Sequence, residues 1–124
     1  MGRRHHVLDV YDAELHLATT EREWARLVRR FEGTLEPDDC NGVGTTTLVL
    51  DRERFRPHLV IWVDLTTHGD DALGLVTTCA HEAAHAAGML LDHIRQSYDG
   101  ESEAFAYLVG WITRWLIEGI DWKH

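Results

Sequence analysis

A chain of 124 residues, 44% of them hydrophobic, is the right size for one domain over 1–124, with enough apolar side chains to build a core and too many for a disordered segment. A formal charge of −9 argues against nucleic acid as the main partner and leaves a protein or peptide as the expected one. No apolar run approaches the roughly 18 residues of a membrane span, no apolar stretch follows the basic start "MGRRHH", and two cysteines, Cys40 and Cys79, are too few for a disulfide framework, so a cytoplasmic protein is expected.

Residues 7–18 alternate toward their end, with Ala13, Leu15 and Leu17 on one side and Glu14 and His16 on the other, as in a half-buried strand. Thr20 followed by Glu23 forms a capping box, and Trp24, Leu27, Val28 and Phe31 then recur at helical spacing, which predicts an amphipathic helix over 21–32. A loop rich in turn formers, "EPDDCNGVG", comes next. The β-branched runs 45–51 and 58–65 lie on either side of a polar connection containing Pro57 and read as a hairpin. Asp70 or Asp71 should cap a helix over 72–92, and a last helix should end near Gly119. The predicted order is β-α-β-β-α-α, an α+β fold with a small three-stranded sheet and helices packed on one face.

The helix over 72–92 contains "CAHEAAHAAG", two histidines four residues apart with a glutamate after the first. Residues at that spacing differ by about 40° around a helix, so His81 and His85 point the same way, one turn apart. Two imidazoles so placed can share one tetrahedral zinc ion. Zinc lowers the pKa of a water in its open position toward about 7, and the adjacent Glu82 can take that water's proton as general base. The residues around the pair are small and uncharged, as the metallohydrolase pattern His-Glu-x-x-His requires. The competing reading is a structural helix whose two histidines are satisfied within the core.

This motif resembles the zincin superfamily, and more narrowly the gluzincins, whose third ligand is a glutamate on a following helix. Thermolysin-like members begin that segment with Glu-Ala-x-x-Asp, and compact ImmA/IrrE-type peptidases with Glu-Ala-x-x-Phe; here residues 103–107 read "EAFAY", with Tyr107 in the last position. The combination also resembles small phage and prophage proteins, and the element order is compatible with the minimal, minigluzincin core. The resemblance covers about 81–110. It implies one zinc ion held by His81, His85 and Glu103, Glu82 as the catalytic base, and a metallopeptidase acting on a protein or peptide. A second reading is a catalytically inactive zincin-like binding protein, such as a phage protein that blocks a host target, with a structural or vestigial zinc site.

Gly88 also fits the start of a metzincin pattern, but that pattern needs a histidine at position 91, which is Leu91. For the third ligand, Glu103 is preferred over Glu101 and His93. At about 100° per residue, Glu103, Ala106, Gly110 and Thr113 share a small face that should meet the histidine face, opposite the bulky Phe105, Leu108, Trp111, Ile112 and Trp115. Tyr98, Tyr107, His93 and Arg95 are the candidates for stabilising an oxyanion. His68 could line the site but reads better as a turn residue. Cys79 should be a buried structural thiol, Trp111, Trp115 and Trp122 packing residues, "DRERFR" a turn or solvated edge, and His5 and His6 surface residues rather than a second site. A peptide substrate could add a strand to the sheet edge beside the active helix, within 58–65.

Overall fold

A computed structural model describes residues 4–31, 43–51, 56–94 and 103–120. Strand β1 (His5–Leu8) is followed by a short 3-10 turn (Asp9–Tyr11), β2 (Ala13–Ala18) and helix α1 (Glu21–Arg30). The hairpin of β3 (Gly44–Leu50) and β4 (Pro57–Val63) comes next, then the one-turn helix α2 (Leu65–His68), α3 (Ala72–His93) and α4 (Glu103–Gly119). The fold is α+β, around one four-stranded sheet of order β1-β2-β4-β3, in which β2 runs parallel to β4 and the outer pairs are antiparallel.

The expected three strands are four because 7–18 is a strand end, a turn and a second strand rather than one strand. Asp12 takes a left-handed conformation (φ 50°) and its amide reaches back to the Asp9 carbonyl. Aspartate tolerates that conformation better than most residues, which lets the chain reverse and pair His5 with His16 across the two strands. Pro57 belongs to β4 as its first residue, where a missing N–H costs least.

Helices cover both faces of the sheet, not one. Leu15, Leu17, Leu59, Ile61 and Val63 point toward α3 and α4 in the main core. On the other face Val28 of α1 packs with Val49 and Val60, flanked by Trp24, Leu27 and Phe31. With neighbours on both edges and helices on both faces, β4 is buried along its whole length, hence its unbroken run "PHLVIWV". It is therefore interior, and the strand edge beside α3 belongs to β3 rather than to 58–65.

The helix starts follow their chemistry. The Thr20 hydroxyl accepts from the Glu23 amide at 3.1 Å, and Glu23 Oε1 accepts in return from the Thr19 amide at 3.0 Å. Asp71, not Asp70, caps α3 by accepting from the Gly74 amide at 2.9 Å. Ala83, Ala86 and Ala87 of α3 are fully buried and let it lie close to its neighbours. Helix α4 turns Leu108, Ile112, Trp115 and Leu116 inward and leaves Glu103, Ala106 and Gly110 exposed, so its small face does not seat against the histidines as expected. A Cβ added at Gly110 would meet nothing within 4 Å. Each large apolar side chain buried contributes roughly 1.5–3 kcal/mol, far more than an alanine or glycine, so the bulky face takes the core. No helix among the described residues is long and apolar enough to cross a membrane.

Candidate metal centre

His81 and His85 lie side by side on the exposed face of α3, with ring centroids 4.7 Å apart and Nε2 atoms 3.1 Å apart. Ligand bonds of 2.0–2.1 Å at tetrahedral angles put two zinc-bound nitrogens about 3.3 Å apart, so this pair fits one edge of a zinc coordination shell. The arrangement follows from helix geometry alone, because nothing else in α3 is needed to bring the two rings together.

Glu82 faces the other way and is only 2% exposed. Its Oε1 accepts the Thr46 hydroxyl of β3 at 2.7 Å. Gly44 makes this approach possible: a Cβ there would lie 3.2 Å from Glu82 Oε2, 3.1 Å from Thr78 Cγ2 and 2.9 Å from the Trp62 carbonyl oxygen. Thr78, one turn before Glu82, is held by His68. The His68 Nδ1–H donates to the Asp64 carbonyl at 2.5 Å, which leaves Nε2 to accept the Thr78 hydroxyl at 2.8 Å. His68 thus supports the wall beside Glu82 from the end of α2.

The third ligand is not brought to the histidines. Glu103 is exposed in the first turn of α4. Among the described residues, the cluster with three ligand atoms all within 4.8 Å of one another is His5, Glu14 and His16, not one built on His81 and His85. Leu91, the metzincin position, is fully buried in the core. His93 is the last residue of α3 and Tyr107 is 72% exposed on α4. Arg95, Tyr98, Glu101, Trp122 and Cys40 lie outside the described residues. Cys79 is buried, as expected, and burial followed by the charge of Glu82 pushes its thiol up to about 12.

The second cluster sits on the opposite face of the sheet, beside α1. His5 Nε2 lies 2.6 Å from Glu14 Oε1, the His5 and His16 rings stack at 4.8 Å, and His16 Nε2 lies 3.0 Å from His58 Nδ1. Arg56 donates to Glu14 Oε2 at 3.1 Å and pairs with Asp12 at 2.9 Å, while residues 52–55 of the expected turn or solvated edge lie outside the described residues. Burial would push the Glu14 carboxyl up, but its bonds to His5 and Arg56 hold it below the usual range. Burial, then the charges of His5 and His58, lowers His16 to about 3. The alternation that put Glu14 and His16 on one side of a strand was visible in the sequence; His5 was missed because the turn at Asp12 was.

No family model, curated protein or solved structure matches the chain.

Proposed function

We propose that the protein is a small zinc-dependent metallohydrolase of zincin-like type, acting on peptide bonds. The observation that carries the reading is the pair of Nε2 atoms 3.1 Å apart on the exposed face of α3, next in sequence to a carboxylate anchored by a single hydroxyl. His81 and His85 would hold the ion, with Glu103 of α4 as third ligand on the strength of the "EAFAY" motif. Zinc bound there would supply Lewis acidity, acidifying a water and polarising the scissile carbonyl. Glu82 would accept that water's proton and return it to the leaving amine. For this its carboxylate must turn from Thr46 toward the histidines, a change of side-chain rotamer. Strand β3, whose outer edge lies beside α3, would receive the substrate as an added strand.

One observation favours a second reading, a zincin-like binding scaffold without catalysis: Glu82 is buried and bonded to Thr46 rather than facing the histidines. Both readings need metal, and a pair of variants separates them. Tag-free protein should bind zinc at the α3 pair and cleave unstructured peptides. Glu82→Gln should keep the zinc and lose cleavage, while His81→Ala/His85→Ala should lose cleavage together with the zinc held at the α3 pair. Zinc binding with no cleavage by the wild type supports the scaffold, and a wild type whose zinc content is unchanged by removing both histidines refutes the two together.

A further inference from the structure

We propose that His5, Glu14 and His16 form a second divalent-metal site, of zinc type, on the α1 face of the sheet. It does not rest on the peptidase reading. Strand register builds it: His5 and His16 are direct partners across β1 and β2, and Glu14 and His58 are direct partners across β2 and β4. Side chains two apart on β2 share a face, so all four groups converge on one patch over three adjacent strands. One ligand atom each from His5, Glu14 and His16 lies within 4.8 Å of the other two. Separations of this size bracket the roughly 3.3 Å edge of a tetrahedral zinc shell, so small side-chain shifts complete it. Two imidazoles and a carboxylate are a donor set that zinc accepts.

The surrounding residues orient these ligands as supports of a metal site do. Arg56 occupies Glu14 Oε2 and leaves Oε1 facing His5. His16 Nε2 meets His58 Nδ1 at 3.0 Å, and His58 Nε2 lies 3.8 Å from Asp51 Oδ2. A carboxylate on that side favours the proton on His58 Nε2, so Nδ1 accepts from His16 Nε2–H and His16 Nδ1 keeps a free lone pair. A carboxylate, a relay and a histidine in series fix the tautomer of a ligating imidazole.

His58 is buried, its side chain only 3% exposed, and its Nε2 faces the Asp51 carboxylate at 3.8 Å, longer than an ordinary hydrogen bond. A cation held by His16 would draw the relay protons toward His58 and Asp51, so the carboxylate side of the relay favours metal at His16. The site opens into a cleft of about 730 Å³ whose walls include Arg26, Arg30 and Phe31. His5 is half-exposed at its mouth, which gives an ion a way in and leaves a fourth position for water or a small anion.

The test uses the untagged full-length chain carrying His81→Ala/His85→Ala, which removes the α3 pair. Zinc chloride is the probe, followed by equilibrium dialysis and metal analysis. About one equivalent should remain bound, and adding His5→Ala or Glu14→Gln should weaken binding roughly tenfold or more. Both positions are partly exposed, so the fold should survive, and circular dichroism with a melting curve checks that it does. Nitrogen-15 spectra of the imidazoles should show zinc-dependent shifts at His16. Less than about a tenth of an equivalent in the His81→Ala/His85→Ala chain overturns this site while leaving the α3 site untouched. Zinc retained at full affinity in folded His5→Ala and Glu14→Gln variants overturns it as well.

Discussion

Glu82 and Thr46 meet at 2.7 Å across the seam between α3 and the edge strand β3. The bond joins the residue beside both histidines to the strand that would hold a substrate. It is buried, so the hydroxyl replaces water that the carboxylate has lost. Replacing Thr46 with valine keeps the shape and removes the donor. Thr46→Val should therefore lower unfolding free energy by about 1.5–3 kcal/mol, the range for a hydrogen bond to a charged group. Urea denaturation measures it. In a Glu82→Gln background the same substitution should cost less, and equal losses in the two backgrounds would rule out a charge-assisted bond.

Gly44 sets the spacing of the same seam. Any Cβ there presses on the Trp62 carbonyl oxygen at 2.9 Å, and backbone cannot swing aside as a long side chain can. Gly44→Ala should destabilise the fold by about 1–3 kcal/mol, as overpacking does. Its φ is not in the left-handed region, so the cost comes from contact and not from backbone strain. A melting temperature equal to that of the wild type would show that β3 and α3 separate freely.

Asp64 gives the pH dependence a local source. It caps α2, accepting from the Thr66 and Thr67 amides at 2.9 and 3.2 Å and from the Thr67 hydroxyl. Burial would push its carboxyl up; the bonds from Thr67 and Thr66, with the charge of His68, outweigh this and hold it below the usual range. A lowered folded-state pKa means the stabilisation is complete above the ordinary carboxylate range and disappears as pH falls through the lowered value. Asparagine caps a helix nearly as well but does not titrate. The stability advantage of wild type over Asp64→Asn should thus be largest near neutral pH and shrink in acid. Paired denaturation curves from pH 7 to pH 3 check this, and an advantage that grows in acid would reverse the sign.

The elements with regular periodicity were legible in the sequence. The Thr20 box, a cap at Asp70 or Asp71, the β3–β4 hairpin and the end of α4 at Gly119 all follow from local residue chemistry. The hairpin of β1 and β2 was not, because its reversal depends on one left-handed aspartate and a non-local pairing of His5 with His16. The helical spacing of His81 and His85 was enough to predict that they point the same way, one turn apart. The seating of α4 was not legible, because burial of Leu108, Ile112, Trp115 and Leu116 outweighs a close approach of backbones through small residues. The place of His58 beside Glu14 was not legible, because it depends on the non-local parallel pairing of β2 with β4.

That seating sharpens the question of Glu103. Its carboxylate begins α4 from an exposed position, and no close packing of small residues draws it toward the histidines. Two imidazoles alone are too few protein ligands for a catalytic zinc site, which uses three. If the α3 pair holds a catalytic ion, a third side chain must come from a neighbouring element, and Glu103 is the one the "EAFAY" motif nominates. Glu103→Ala should then weaken zinc binding at the α3 site by about a hundredfold or more, compared in a His5→Ala background that silences the other cluster. Because Glu103 is exposed, the substitution should change unfolding free energy by no more than about 0.5 kcal/mol, so loss of metal cannot be mistaken for loss of fold. Glu101→Ala and His93→Ala are the comparisons. A zinc affinity that falls with either of them and not with Glu103→Ala would move the third ligand to that residue and take the gluzincin likeness with it.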